Sequence, residues 1–132
     1  MNQNIFRQYD IRGVADRDLT DETVTGIGRA FAAYLVRKPA VAHPTVVVGR
    51  DIRPSSTRMK TALVGALAAS GISVTDVGVV TTPICYFSIL HLKKAAGIMI
   101  TGSHNPPEYN GLKLVIGKDS VYGEELQNLR RM

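Results

Sequence analysis

Short apolar runs alternate with helical patterns along most of this sequence, and this order constrains the fold more than any other feature. Runs rich in β-branched and aliphatic residues lie at 45–49, 72–77 and 96–101. Such runs are typical of strands buried on both faces of a sheet. Helical spacing separates them, at about 56–70 and about 82–94, and Thr82 is the expected N-cap of the second of these helices. Because strands that alternate with helices form parallel sheets through right-handed crossovers, we expect an α/β fold.

The flanking segments complete the predicted architecture. A helix is expected over about 21–37, with Thr20 as its N-cap, and another from about residue 123 onward. A fourth strand, at 112–116, follows the third too closely for a helical crossover, so it should be antiparallel. Residues 1–19 look irregular. The prediction is a three-layer α/β/α fold with a mixed four-stranded sheet, of which three strands are parallel and the last is antiparallel.

Composition limits the classes of function. The 132 residues, 45% hydrophobic and 20% charged, suit one globular domain that spans 1–132. A net charge of +5 favours anionic partners, but scattered basic residues argue against nucleic acid. The longest apolar stretch, 61–72, is too short to cross a membrane, and no signal peptide precedes it, so a cytoplasmic location is expected. The single cysteine, Cys85, is interpreted as a buried structural thiol.

The segment TGSHNPPEYNG, at 101–111, is unusual for a plain connection between strands. It leaves the carboxyl end of a predicted buried strand, which is where ligands bind in open α/β sheets. Two prolines restrict its backbone. Ser103, with His104 beside it and Lys113 in the next strand, could act as a nucleophile or carry a transferred group. The alternative is a rigid polar turn without chemistry.

This loop, followed by Leu112-Lys113, resembles the phosphoserine loop of the α-D-phosphohexomutase family, which includes phosphomannomutase/phosphoglucomutase. Further segments agree with that family in order and spacing, and together they cover essentially the whole chain. They are 6–13 (FRQYDIRG), 48–51 (VGRD) with Arg53 and Ser55-Ser56, and 76–78 (DVG) leading to Thr82-Pro83. The resemblance is to the N-terminal active-serine domain of a four-domain enzyme, with the remaining domains absent. The last helix stops without a capping sequence, which we interpret as a point within a longer chain.

The resemblance implies a reaction and a set of site residues. A phosphorylated Ser103 would exchange its phosphoryl group with a hexose phosphate through a bisphosphorylated sugar, interconverting hexose 1-phosphate and 6-phosphate. Arg12, Lys113 and His104 would surround the phosphoserine as catalytic residues, and which of them is the base stays open. The substrate-binding residues would be Tyr9, Arg12, Asn105 and Lys113. The cofactor would be Mg²⁺, bound here only through the phosphate on Ser103, because the family's Asp-rich metal loop lies in a second domain.

The expected partners are therefore a phosphorylated hexose, either mannose or glucose phosphate, and the downstream domains of the same chain. The isolated domain is expected to be inactive. Two other functions stay open from the residues. The first is a serine hydrolase or phosphatase that uses Ser103 and His104, although no G-x-S-x-G elbow is present. The second is a basic anion-binding module, although the chain lacks the clustered cations and aromatic platforms of nucleic-acid binders.

Overall fold

A computed structural model describes residues 2–38 and 43–132, which form a mixed sheet with helices on both faces. The strands are β1 (Ile11–Val14), β2 (Thr45–Arg50), β3 (Ser73–Val79), β4 (Ala96–Ile100), β5 (Tyr109–Ile116) and β6 (Asp119–Ser120). The helices are α1 (Ala15–Asp18), α2 (Asp21–Val36), α3 (Pro54–Ala69), α4 (Thr82–His91) and α5 (Gly123–Arg131), after a 3₁₀ turn at Gln3–Ile5. None of these described helices is long and apolar enough to cross a bilayer.

The strand order is β1-β5-β4-β2-β3, with β6 paired to β5. Strands β3, β2 and β4 run parallel, and β5 is antiparallel to β4, as the sequence predicts. The α/β class and the mixed sheet are confirmed. The predicted count of four strands is wrong, because the described part of the chain contributes six to the sheet.

The two additional strands have local reasons for escaping the sequence pattern. Strand β1 has four residues, including Arg12 and Gly13, and exists because it pairs antiparallel with β5. That pairing also extends β5 back to Tyr109, three residues before the predicted start. Strand β6 has only two residues and pairs with β5 across a two-residue turn. Gly117 opens that turn with a φ of +62°, a conformation that glycine adopts at little cost.

The helices form two layers around the sheet. Helices α2, α3 and α5 pack on one face of the sheet and enclose the larger core. Val46 and Val48 of β2 point into that core. Helix α4 covers the other face, where Val47 of the same strand packs near Cys85. Alternate residues of a strand point to opposite faces, so a run of buried valines supplies both cores. The three-layer α/β/α prediction is therefore confirmed.

The helix starts agree with the sequence prediction at α2 and differ from it at α3 and α4. The Thr20 side chain accepts a hydrogen bond from the Thr23 N–H at 3.3 Å, which confirms the N-cap of α2. Helix α3 begins at Pro54, two residues before the predicted start, because proline fits the first turn of a helix. Thr82 is the first residue of α4 rather than its cap, and the capping position belongs to Thr81.

Candidate functional site

Strands β2 and β4 end side by side, so the connections that follow them lie together. Arg50 is paired with Ile100 at this edge, and the Asp51 N–H donates to the Ile100 carbonyl at 2.9 Å. The Thr101 N–H bonds the Gly111 carbonyl at 3.0 Å, which closes the base of the loop at 101–111. The serine-bearing loop therefore faces the turn between β2 and α3 at the carboxyl edge of the parallel strands.

The Arg53 side chain extends from that turn into the loop. Its two terminal nitrogens donate to four backbone carbonyls. These carbonyls belong to Ser103 (3.2 Å), Asn105 (2.6 Å), Pro106 (2.6 Å) and Tyr109 (3.0 Å). A Cβ atom at Gly102 would lie 2.4 Å from the Arg53 Cζ, so only glycine leaves room for the guanidinium. The loop is thus wrapped around a cation from another element.

The Asp51 carboxylate contacts both Arg53 and the loop. Its Oδ1 accepts from the Ser56 hydroxyl at 2.5 Å and from the Arg53 N–H at 3.0 Å. Its Oδ2 accepts from the Gly102 N–H at 3.1 Å and lies 3.3 Å from the Arg53 Nε. Burial acts to raise the pKa of this carboxyl, but hydrogen bonds from Ser56, Arg53, Thr101 and Gly102 outweigh it, so the pKa is lowered. Both carboxylate oxygens of Asp51 therefore already accept hydrogen bonds.

The far end of the loop is fixed by Asn110, which is fully buried. Its amide nitrogen donates to the hydroxyls of Ser55 at 2.8 Å and Ser56 at 2.9 Å. Its amide oxygen accepts from the Gly111 N–H at 2.8 Å. A Cβ at Gly111 would lie 2.4 Å from the Ile11 carbonyl oxygen, so glycine permits β1 to pair closely there. Both ends of the loop are therefore anchored to neighbouring elements.

Ser103 is exposed, yet its backbone is held in an uncommon conformation. Its φ is +52°, in the left-handed region that non-glycine residues seldom adopt. Its N–H donates to the Thr101 hydroxyl at 2.9 Å, and the next turn is closed by the Asn105 N–H on the Gly102 carbonyl at 3.0 Å. His104 is also exposed. The loop consequently presents the serine hydroxyl to solvent from a fixed backbone.

A cavity of about 700 Å³ beside the loop brings together four predicted site residues. They are Tyr9, Arg12, Asn105 and Lys113. Arg12 pairs across the sheet with Gly111, and Lys113 lies two residues further along β5, so both side chains point to one face. The buried Asp10 carboxylate lies 2.5 Å from Arg12 and 3.6 Å from Lys113.

Ser103 does not line that cavity but an adjoining one of about 480 Å³. Asp51, Arg53 and Thr101 line the second cavity, and Asn105 lines both. The structure therefore places the predicted nucleophile and the predicted cations on either side of Asn105. Arg53 and Asp51 were not predicted as site residues, although both belong to the segments that carry the family resemblance.

The described residues do not form a metal site by themselves. Within 2–38 and 43–132, no group of three or more histidine, cysteine or acidic side chains could hold an ion. The two carboxylates at the site are engaged, Asp51 by its hydrogen bonds and Asp10 by two cations. Side chains alone do not fit Mg²⁺ here, and a phosphate would have to supply the oxygens.

Cys85 plays no part in this site. It is fully buried in the smaller core, as predicted, and burial raises the pKa of its thiol to about 11. A thiol with so high a pKa stays protonated and unreactive at neutral pH.

The fold and the site define an α/β/α domain with a rigid serine-bearing loop next to a cation-rich cavity. Residues 3–129 match the family model described as phosphoglucomutase/phosphomannomutase, alpha/beta/alpha domain I. The chain therefore belongs to the phosphoglucomutase/phosphomannomutase family, as the resemblance predicts.

Individual relatives agree. The chain is 44% identical over 129 residues to a phosphoglucomutase of Neisseria gonorrhoeae, which covers 98% of this chain and 27% of the relative. It is 43% identical over 127 residues to a phosphomannomutase/phosphoglucomutase of Pseudomonas aeruginosa, covering 96% and 27%. A crystal structure of a family protein from Burkholderia thailandensis superposes with a TM-score of 0.88 at 40% identity, covering 99% of this chain and 30% of that one. The chain thus spans about a quarter of the length of its curated relatives.

Proposed function

We propose that this chain is the active-serine domain of a phosphohexomutase that interconverts hexose 1-phosphate and hexose 6-phosphate, with mannose or glucose as the sugar. One observation supports this function most: Ser103 is exposed on a fixed backbone, beside a cavity whose lining carries more positive than negative charge. Phosphoryl transfer depends mainly on positioning and on neutralising spread negative charge, and this arrangement supplies both.

In the proposed reaction, phosphorylated Ser103 gives its phosphoryl group to the free hydroxyl of a hexose phosphate. The bond between phosphorus and Ser103 Oγ breaks, a bond to the sugar oxygen forms, and the hydroxyl proton passes to a base. The product is a bisphosphorylated sugar, which then returns its other phosphoryl group to Ser103. His104 and Lys113 are the two candidate bases, since one neighbours Ser103 in the loop and the other lines the cavity.

Arg12 and Lys113 would bind phosphate oxygens of the substrate. Each side chain is about a quarter exposed, at 27% and 26%, and the two share the single carboxylate of Asp10. An anion can therefore enter without first breaking a saturated ion pair. Tyr9 and Asn105, on the walls of the same cavity, would contact the sugar or its phosphate.

The proposed cofactor is Mg²⁺, and the contribution of this chain to it is the phosphate on Ser103. Phosphate oxygens are ligands that Mg²⁺ favours, whereas the carboxylates here are already engaged. When bound, the ion would neutralise negative charge on the phosphoryl group. Its other protein ligands would come from outside the residues described here.

We further propose that residues 1–132 form one domain and that turnover requires the other domains of a longer, cytoplasmic enzyme. The relatives are about four times as long as this chain, so most of their structure is not represented in it. The isolated chain would therefore be inactive. A serine hydrolase is less well supported, because β4 leads through the loop into an antiparallel strand and not, as a nucleophile elbow requires, into a helix.

A domain graft tests the proposal. In this graft, the chain replaces the matching segment of the Pseudomonas aeruginosa phosphomannomutase/phosphoglucomutase, which is 43% identical to it. We expect the graft to interconvert hexose phosphates and Ser103→Ala to reduce kcat by at least about 10³-fold, because the phosphoryl carrier is lost.

Ser73→Ala is the matched control. Ser73 is an exposed serine at the start of β3, at the opposite end of the parallel strands, and its replacement should leave kcat within about twofold. Turnover that persists in Ser103→Ala would contradict the proposal. A graft that folds but shows no turnover at all would also count against it.

A further inference from the structure

We propose that Arg53 is the positioning residue of the active-serine loop: its guanidinium fixes the loop backbone, and through it the direction of the Cα–Cβ bond that carries the Ser103 hydroxyl, without binding substrate. This inference rests on the proposed function only for the chemistry at Ser103. The loop-holding role itself rests on contacts within the structure.

The terminal donors of Arg53 are fully used. An arginine side chain has five N–H donors in a planar fork. Four of them are directed at the carbonyls of Ser103, Asn105, Pro106 and Tyr109, and the Nε lies 3.3 Å from the Asp51 carboxylate. Only 14% of the side chain is exposed. All four terminal N–H groups are therefore occupied by the loop, which separates Arg53 from the more exposed Arg12.

The four carbonyl groups in turn depend on Arg53 as their hydrogen-bond donor. Four carbonyl oxygens that converge on one point repel one another, and turning them inward removes them from water at a cost. A planar cation with several donors is the side chain that satisfies this geometry, and a lysine ammonium with three donors cannot. Gly102 leaves the space that the guanidinium fills. The loop therefore folds around Arg53.

The consequence for Ser103 follows from its backbone. Its φ of +52° is unfavourable for an L-residue, so contacts on both sides must maintain it. The Thr101 hydroxyl holds the Ser103 N–H at 2.9 Å, and Arg53 holds the Ser103 carbonyl at 3.2 Å. Fixing both peptide groups fixes the direction of the Cα–Cβ bond, which confines the hydroxyl oxygen to the staggered χ1 positions around it. Removing the Arg53 guanidinium releases the Ser103 carbonyl, which is one of these two peptide groups.

Two measurements on Arg53→Lys and Arg53→Gln test this role. In the domain graft, both variants should lower kcat on the order of 10²-fold, because a displacement of about 1 Å at the reacting group has an effect of that size. KM should change less than about threefold, since no substrate contact is lost. Arg29→Gln, at an exposed arginine of α2, is the matched control and should change neither constant.

Native-state hydrogen exchange of the 132-residue chain provides a readout that does not depend on activity. The Gly102 amide donates to the Asp51 carboxylate and the Asn105 amide to the Gly102 carbonyl, and both should exchange at least about tenfold faster in both Arg53 variants. The Ile98 amide in the central strand β4 should be unchanged, which excludes global unfolding.

Each outcome bears on one claim. Unchanged loop exchange in both variants would overturn the inference. A rise in KM with kcat unchanged would also overturn it, since Arg53 would then be a substrate ligand. The proposed function is tested separately by Ser103→Ala: if that variant retains turnover while loop exchange still depends on Arg53, the mutase proposal fails and the loop-holding role remains.

Discussion

Two regions of the site place an arginine beside an aspartate, and they do so with opposite results. Beside the loop, Arg53 and Asp51 contact each other, and their other hydrogen bonds are made with backbone and hydroxyl groups. In the cavity, Arg12 and Lys113 share the one carboxylate of Asp10, and about a quarter of each cationic side chain stays exposed. The same residue types therefore form a saturated scaffold in one place and an accessible binding surface in the other.

The difference lies in the balance of charge and donors. The Arg53–Asp51 pair is neutral, and both side chains are mostly shielded from solvent. It therefore makes the loop rigid and attracts no further ion. The cavity has two cations for one anion, with Arg7 also on its wall, so it should draw phosphate. If this account is correct, mutations in the loop should affect stability and positioning, whereas those in the cavity should affect anion binding.

The largest effect is expected for Asp51→Asn, which would lower the free energy of unfolding by about 2–3 kcal/mol. The change leaves the mostly buried Arg53 without its counter-charge and places an amide donor among other donors. Urea denaturation of the chain measures this loss. Asp16→Asn is the control, because the Asp16 side chain is 95% exposed, and it should cost less than about 0.5 kcal/mol. Equal losses in the two variants would remove the distinction between scaffold and surface.

A smaller effect is expected for Lys113→Gln, this time on binding. The variant should raise the Kd for inorganic phosphate about tenfold at low ionic strength, because one charge-assisted contact is lost. An NMR titration of the chain with phosphate measures the Kd. The control is Lys118→Gln, at an exposed lysine in the turn before β6, which should leave the Kd unchanged. A large loss of stability in Lys113→Gln would show that the cavity is part of the scaffold.

The smallest effect is the dependence of stability on pH. The pKa of Asp51 is lowered in the folded state, so its stabilising contribution is fully present above the unfolded value of about 3.9. That contribution is lost as the pH falls through the folded-state pKa. Stability should therefore decrease below about pH 4, with a shallower slope in Asp51→Asn. Identical slopes in both proteins, measured by urea denaturation between neutral and acid pH, would contradict the assignment.

The fold was predictable where local pattern and tertiary structure agree. The Thr20 cap, the valine run of β2 and the short connection before β5 each have a local physical cause, and the structure confirms them. Strand β1 has no such cause, because its four residues gain strand geometry only by pairing with β5, almost 100 residues away along the chain. Such a pairing leaves no periodic pattern in the sequence.

The site was predictable in part for the same reason. Ser103 and its neighbours occur together in one unusual segment, so composition indicates a loop of special structure. Arg53 lies about 50 residues earlier, and nothing local shows that its donors meet carbonyls of that loop. The available signals were its position just after a parallel strand and its place in a segment that carries the family resemblance. The left-handed φ of Ser103 is likewise set by contacts, since serine has no preference for it.

The most direct test of the central claim is the phosphorylation state of Ser103 during turnover. The domain graft would be phosphorylated with an isotope-labelled hexose 1,6-bisphosphate and separated from the free sugar. Its peptides would then be analysed by mass spectrometry before and after addition of an excess of unlabelled hexose 6-phosphate. The account predicts one labelled phosphoryl group on Ser103, which passes to the sugar while Ser103 regains an unlabelled one from the bisphosphorylated intermediate. A phosphate on another residue, or a label on Ser103 that turnover does not remove, would contradict it.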